Sequence, residues 1–174
     1  MNKIWVEGRE YLKDVNNYND KSFLEFRSAL INGIKKEVNN KLPILSDHIK
    51  INVEIKRMLE NSKFIVRVLT NQEKTHIYGL FIAQISEGFF TGKVLSFPLT
   101  TLTNKADKKD IFKLIKECKK VIKDNVNKVD YVMLETVLKD GKIIAHNKKV
   151  LEWFDKNINK AHKLYEVWVS KIKE

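Results

Sequence analysis

The centre of the chain carries three apolar segments that alternate or run continuously and are joined by short polar connections. In the first, Phe64, Val66 and Val68 fall on one face, which is the two-residue period of a half-buried strand. Connections this short join antiparallel neighbours, so the pattern predicts a three-stranded meander. The segments are Lys63–Thr70, Thr75–Ser86 and Lys93–Leu99, and the connections are Asn71–Lys74 and Glu87–Gly92.

Pro98 stands at the end of the third of these strands. Proline cannot donate to a strand ladder, so it indicates a bulge, an edge, or a place where two strands part. After it, Thr100–Ala106 is polar and predicts a loop.

Three other segments have helical spacing. Ser22 with Glu25 resembles a capping box and predicts a helix from about Ser22 to Asn40, ended by Leu42-Pro43. Asp107 is placed to cap a helix that reaches about Asn125. His48–Asn61 fits both a strand and a helix, and its period alone does not decide between them.

The remaining pattern completes one domain, 1–174, of the α/β (α+β) class. With 6 Gly and 2 Pro in 174 residues, the chain offers no long linker. The predicted elements, in chain order, are a first strand Ile4–Val6, a polar turn Tyr11–Asp20, a strand Val129–Val137, a turn Asp140-Gly141, a helix His146–Asn157 and a closing strand Ala161–Ile172.

The chain is strongly basic, with a formal net charge of +11 from 33 Lys and Arg against 22 Asp and Glu. Such a charge attracts polyanions, but the same composition also solvates a surface, and only three of the basic residues are Arg. The lysines of the 107–125 helix are interpreted either as a solvated face or as a polyanion-binding face. The adjacent Phe89 and Phe90, in a predicted turn, either line a substrate mouth, seat in a partner protein, or fold back onto the sheet.

Several classes of protein are not supported by the sequence. The single Cys118 cannot form an intrachain disulfide and falls on the apolar face of its helix, and the four His have no zinc-ligand spacing, so we expect no metal. No apolar run is long enough to span a membrane, and the first residues do not resemble a signal peptide. We therefore expect a cytoplasmic protein, or one packed inside a virion.

The order of elements is similar to that of the GNAT superfamily of acyl-CoA-dependent N-acetyltransferases. The resemblance rests on segments spread over most of the chain, and it is the reason for interpreting His48–Asn61 as a helix. The matching segments are Lys63-Phe-Ile-Val-Arg-Val, Ile77-Tyr-Gly-Leu-Phe-Ile-Ala-Gln-Ile, Lys93-Val-Leu-Ser-Phe-Pro-Leu, Val129–Glu135 and Asn147-Lys-Lys-Val-Leu-Glu-Trp-Phe.

The resemblance implies a GNAT-like mixed, mainly antiparallel sheet flanked by about four helices, and acetyl-CoA as the cofactor. In that family the fourth and fifth strands splay apart and the pantetheine arm lies in the gap, while the pyrophosphate binds amides at the start of the next helix. Carried onto this chain, the implied cofactor-binding residues are Phe97, Leu99, Thr100, Thr101, Thr103, Asn104, Lys105, Ala106, Asp107 and Lys108.

Two positions depart from the family pattern. The pyrophosphate loop of the family contains glycines, whereas Thr103-Asn-Lys-Ala-Asp-Lys-Lys-Asp contains none, and its aspartates place negative charge where an anion would bind. Phe154 matches the tyrosine that often protonates the departing thiolate, and phenylalanine has no proton to give. Catalytic residues therefore stay unassigned: Glu135 is interpreted as a general base or a surface carboxylate, and Tyr131 and Tyr165 as proton donors or packed aromatics.

Two functions follow from the sequence. The first is a GNAT-like N-acetyltransferase that moves an acetyl group from acetyl-CoA to an amine. The second is a catalytically inactive GNAT-fold protein that binds a protein partner or a polyanion through its basic surface or through Phe89 and Phe90. The composition suggests a bacteriophage or mobile element as its source and a role as a virion component. The acceptor and the oligomeric state are open.

Overall fold

The computed structural model describes residues 2–12, 14–37, 47–88, 92–133, 138–139 and 142–143. Within these ranges the chain forms seven strands and four helices, with a 3-10 turn at Val126–Lys128. The elements are β1 (Lys3–Glu7), α1 (Gly8–Tyr11), α2 (Lys21–Glu37), α3 (His48–Glu60), β2 (Phe64–Asn71), β3 (Ile77–Gly88), β4 (Gly92–Leu102), α4 (Asp110–Asn125), β5 (Tyr131–Met133), β6 (Leu138–Lys139) and β7 (Lys142–Ile143).

Five of the strands form one sheet in the order β1-β2-β3-β4-β5, and β6 pairs with β7 as a separate hairpin. The first four strands of the sheet are antiparallel neighbours, whereas β5 pairs parallel to β4. The expected meander and the mixed, mainly antiparallel sheet are therefore confirmed.

Helices cover both faces of this sheet. On one face, α2 and α3 bury Phe23, Phe26 and Ile55 against β2 and β3. On the other face, α4 buries Leu114 and Cys118 against β3 and β4. The period of α4 predicted this contact, and His48–Asn61 is the helix that the resemblance implied.

Pro98 lies in a β-bulge, one of the three outcomes that its position predicted. The pairs Gln84↔Ser96 and Ile82↔Leu99 leave two residues of β4 opposite one residue of β3. The extra residue interrupts the side-chain alternation of β4. Phe97 packs on the α4 face, while Pro98 and Leu99 both lie on the α2 and α3 face. Such a bulge bends the strand and increases its local twist.

The start of α2 differs from the expectation. The helix begins at Lys21, and Asp20 caps it through the Ser22 amide, at 2.8 Å. Glu25 does not complete a capping box, because its carboxylate accepts a hydrogen bond from the Ile77 amide at 3.1 Å on β3. The predicted capping box was thus wrong, since the Glu25 carboxylate binds a backbone amide 52 residues away in sequence.

Other element boundaries also differ from the predicted ones. The expected loop begins only at Thr103, since Thr100 to Leu102 continue β4 opposite β3. The expected polar turn contains the end of α1 and the fully buried Tyr11 and Leu12. The expected elements Leu42-Pro43, Asp140-Gly141, His146–Asn157 and Ala161–Ile172 lie outside the described residues.

Candidate functional site

The segment from β4 through α4 to β5 forms a strand–helix–strand unit. Its strands are the parallel pair of the sheet, with Val94 opposite Tyr131 and Ser96 opposite Met133. Parallel strands bring their carboxyl ends to one edge, and ligands of α/β sheets bind outside that edge. The loop 103–109 and the first turn of α4 lie there, so this edge is the candidate site.

The bulge separates two environments beside this edge. On the α4 face the Phe97 ring stacks on Phe81, with centroids 5.3 Å apart. On the opposite face a cavity of about 280 Å³ opens between α2, α3 and the bulge. Its lining is apolar apart from Glu54, which is paired with Arg57 at 2.8 Å. The lining residues are Leu30, Ile31, Ile34, Ile51, Glu54, Ile55, Met58, Ile82, Pro98 and Leu99.

The four implied cofactor residues on β4 are Phe97, Leu99, Thr100 and Thr101, and all are buried. Leu99 borders the cavity, and Thr101 packs against Gly33 of α2. A Cβ on Gly33 would lie 2.6 Å from the Thr101 Cγ2, so glycine allows this close approach of helix and strand. Side chains this closely packed leave only the backbone of β4 to contact an elongated ligand.

Backbone amides of the loop that follows β4 donate hydrogen bonds within the loop itself. The Ala106 amide donates to the Thr103 carbonyl at 3.1 Å, and the Lys105 amide donates to the Thr103 hydroxyl at 3.3 Å. Thr103 is itself held by β3, because its hydroxyl donates to the Ile77 carbonyl at 2.9 Å. The implied residues Thr103 to Ala106 thus form a closed turn.

Three amides at the start of α4 already donate hydrogen bonds to two aspartate side chains. Asp107 Oδ1 accepts from the Lys109 amide at 2.8 Å and from the Asp110 amide at 3.2 Å. In return, Asp110 Oδ2 accepts from the Asp107 amide at 2.9 Å. This reciprocal arrangement is a capping box made of two carboxylates. Asp107 is therefore the helix cap that the sequence predicted.

Lys3 of β1 binds both of these carboxylates and balances one of their two negative charges. Its Nζ donates to Asp107 at 3.0 Å and to the buried Asp110, and it lies 4.3 Å from the centroid of the Tyr78 ring. Burial lowers the pKa of Lys3, but its hydrogen bonds to Asp110 and Asp107 and their negative charges outweigh burial and raise that pKa overall. The hydrogen bond from Lys3 lowers the pKa of Asp107. We call Lys3, Asp107 and Asp110 the capping cluster.

Other lysines near the loop are also engaged. Lys105 Nζ donates to Glu25 at 2.9 Å, and Lys36 Nζ donates to the Leu102 carbonyl at 2.8 Å. Lys108 and Lys109 are exposed, and so is Asn104. The sequence did not reveal the Lys3 contact, because its partners lie 104 and 107 residues away.

These contacts test whether an acyl-CoA cofactor fits. The buried, bulged β4 next to a parallel strand fits an extended thioester arm that contacts the backbone. The donor set at the start of α4 does not fit a pyrophosphate, because the amides of Asp107, Lys109 and Asp110 already donate to the carboxylates of the capping cluster. In addition, no residue from Thr103 to Asp110 has a positive φ, so the alternation that curls successive amides around an anion is not formed.

Several residues that the sequence analysis singled out lie away from this edge of the sheet or outside the described residues. Cys118 is fully buried, and burial with the nearby Glu117 raises its pKa to about 12, as expected of a core thiol. Tyr131 is half exposed at the start of β5, the end of the strand pair opposite to the loop, so of its two interpretations the packed aromatic does not describe it. Glu135, Phe154, Tyr165, Phe89 and Phe90 lie outside the described residues.

The described part of the chain lacks two further kinds of feature. It contains no group of three or more His, Cys, Asp or Glu side chains that could hold a metal ion. Nor does any of its helices have the length and apolar character needed to cross a membrane.

The chain has the fold of the GNAT-type acetyltransferases. A possible acetyltransferase from Clostridium difficile 630 is 15% identical, with a TM-score of 0.60 and 97% of this chain and 99% of that chain covered. A predicted acetyltransferase with acetyl-CoA from Clostridium acetobutylicum is 10% identical, with a TM-score of 0.60 and coverages of 95% and 94%. Glucosamine-6-phosphate N-acetyltransferase from Arabidopsis thaliana is 11% identical, with a TM-score of 0.56 and coverages of 95% and 98%. No protein-family model and no curated protein matches the sequence.

Proposed function

We propose that this chain is an N-acetyltransferase that moves an acetyl group from a pantetheine thioester, acetyl-CoA in the first instance, to an amine. The observation that carries the proposal is the bulge of β4 at Phe97 and Pro98, beside the parallel β5 and above the cavity. The neighbours in fold are named as acetyltransferases, which supports the same reaction class.

The thioester supplies an activated acyl carbon that an amine nitrogen can attack. The residues of this chain would position the two reactants. The backbone of β4 from Phe97 to Thr101 would align the arm, and the apolar cavity beside Leu99 would hold the acceptor and exclude water from it. An apolar lining favours an amine that carries an apolar group, with its nitrogen toward the bulge.

A direct test is acetylation of a panel of amines of graded polarity, followed by mass spectrometry of the products. The same donor is titrated in a thermal unfolding experiment, because a ligand that binds the folded state raises the melting temperature. We expect product with at least one apolar amine and a rise in melting temperature. The proposal fails if millimolar acetyl-CoA and acetyl-pantetheine both leave the melting temperature unchanged and no amine is acetylated.

A cavity-filling variant links the activity to the proposed acceptor site. Ile31→Trp places a large ring in the cavity from α2, whereas Leu24→Trp adds the same ring at an exposed position of the same helix. We expect Ile31→Trp to lower kcat/KM by at least about tenfold, equivalent to about 1.4 kcal/mol, and Leu24→Trp to leave it near the wild-type value. Equal activity of both variants would place the acceptor elsewhere.

A second candidate is a GNAT-fold protein without catalysis, which binds a polyanion through α4. It is favoured by the capping cluster, which takes the amides of the loop, and by the exposed Lys116, Lys120 and Lys123 on one helix. Binding of this kind weakens steeply with salt. If it is the function, duplex DNA or RNA should bind in 50 mM salt and be released in 300 mM salt, and a triple Lys→Ala variant of these positions should lose that binding.

A further inference from the structure

The capping cluster has a consequence for the donor of the proposed reaction. We propose that the chain recognises its acyl donor by the thioester arm alone, so that the adenosine diphosphate part of a coenzyme A donor contributes nothing specific to binding. The donor class is then an acyl thioester of pantetheine, whether or not that arm carries a nucleotide. This inference rests on the proposed function, since it concerns the same site.

The first ground is the state of the backbone donors. A helix start attracts a phosphate because free amides and the helix dipole point at it. Here the amides of Asp107, Lys109 and Asp110 already donate to carboxylates, at 2.9, 2.8 and 3.2 Å. A pyrophosphate would have to displace groups that are tethered to the chain and carry the same charge.

The second ground is how firmly the carboxylates are held. Asp110 is 1% exposed, and it is bound by both Lys3 and the Asp107 amide. Rotating it away would leave Lys3, whose side chain is 9% exposed, without its buried partner. Separating a buried ion pair is strongly unfavourable, so the carboxylates keep the helix start even when an anion is offered.

The third ground is the use of the neighbouring cations. A loop whose amides are largely engaged could still bind phosphates through lysine side chains. Lys105 is directed to Glu25, and Lys3 to the two aspartates. Lys108 and Lys109 are exposed, but a phosphate bound beside them at the helix start would also face the two carboxylates of the capping cluster, whose charge opposes it.

The test compares acetyl-CoA with S-acetyl-pantetheine by isothermal titration calorimetry with the full chain in 0.15 M salt, with adenosine 3′,5′-bisphosphate as competitor. One charge-assisted hydrogen bond to phosphate would be worth about tenfold or more in affinity. We expect the two dissociation constants to agree within about tenfold and the bisphosphate not to compete. Acetyl-CoA that binds more than about tenfold tighter, with competition by the bisphosphate, would overturn the inference but support the proposed function.

Two lysine variants separate specific recognition from the general charge of the protein. Lys109→Ala lies at the start of α4, and Lys120→Ala lies on its exposed face further along. Both should weaken acetyl-CoA binding by the same small factor, because they act only through the net charge. A loss of about tenfold or more confined to Lys109→Ala would overturn the inference. If neither thioester binds, the proposed function and the inference fall together.

Discussion

Lys3 is the cation on which the start of α4 depends. Its ammonium group lies between Asp110, which is buried, and Asp107, whose side chain is 60% exposed. Replacing it by methionine keeps the length and the apolar contacts of the stem but removes the charge. Asp110 then remains buried with the Asp107 amide and with no cation.

The magnitude follows from the burial of Asp110. Removing one partner of a buried ion pair costs about 3–5 kcal/mol, because the other charge stays in a region of low polarity. The lower end applies here, because the Asp107 amide still solvates Asp110. We therefore expect Lys3→Met to lower the free energy of unfolding by about 3 kcal/mol, a large part of the stability of an ordinary domain.

The assay is urea unfolding, evaluated by linear extrapolation at pH 7. The double variant Lys3→Met/Asp110→Asn is the matched control. It removes both charges, and its amide oxygen can still accept from Asp107, so it should recover most of the loss. Lys109→Met replaces an exposed lysine of the same loop and should change stability by less than about 0.5 kcal/mol. A loss below about 1 kcal/mol for Lys3→Met, or a double variant no better than the single one, would refute the reasoning.

The dependence of the free energy of unfolding on pH provides an independent test of the Lys3 contacts. The pKa of Lys3 is raised in the folded state, so its contribution is fully present below the ordinary lysine value of 10.5 and is lost as the pH rises through the higher folded value. The pKa of Asp107 is lowered, so its contribution is present above 3.8 and is lost as the pH falls through the lower folded value. The difference between wild type and Lys3→Met should be flat from about pH 5 to pH 10 and shrink outside that window.

Three further outcomes can be measured with single variants or labels. Gly33→Ala should lower the free energy of unfolding by about 1–2 kcal/mol, because the added Cβ would press on the rigid Thr101 and outweigh the better helix propensity of alanine. A variant that is stabilised in urea unfolding would contradict the tight contact of α2 with β4. Gly92→Ala should lower the free energy of unfolding by about 1–3 kcal/mol, since Gly92 has a φ of 68° and its missing Cβ leaves room for Asp130. Equal urea midpoints for this variant and the wild type would argue against both constraints. Cys118, with its pKa raised to about 12 by burial, should react with iodoacetamide at pH 8 only in urea, and rapid labelling of the native protein would show that α4 opens.

The sequence predicted the layers of the fold because they depend on local periods. The meander and α4 follow from apolar spacing, and Asp107 follows from its position before that spacing begins. His48–Asn61 has a period that fits two structures, and only the order of the other elements favoured the helix. Its confirmation shows that topology resolved what the local pattern left open.

The sequence could not predict contacts between distant residues. Glu25 has the spacing of a capping box, but the Ile77 amide and Lys105 hold its carboxylate. Lys3 has no local feature that marks it as the partner of Asp110. The absence of glycine in the loop did predict a poor phosphate site, yet the hydrogen bonds that close it depend on the fold. The local sequence thus predicted weak phosphate binding, and the structure adds the carboxylate contacts that favour the same prediction.

The capping cluster also has a place in the order of folding. The strands β2, β3 and β4 pair through short connections, so this part of the sheet can grow from short-range contacts. The pairing of β1 with β2 is long-range, because Lys3 lies opposite Asn71. Lys3 and Asp110, 107 residues apart, meet only after β1 has joined the sheet edge and α4 has docked on its face. Contacts that form after the rate-limiting step slow unfolding rather than speed folding. The capping cluster would therefore form late in folding. It would lower the unfolding rate of the native protein and leave its folding rate nearly unchanged.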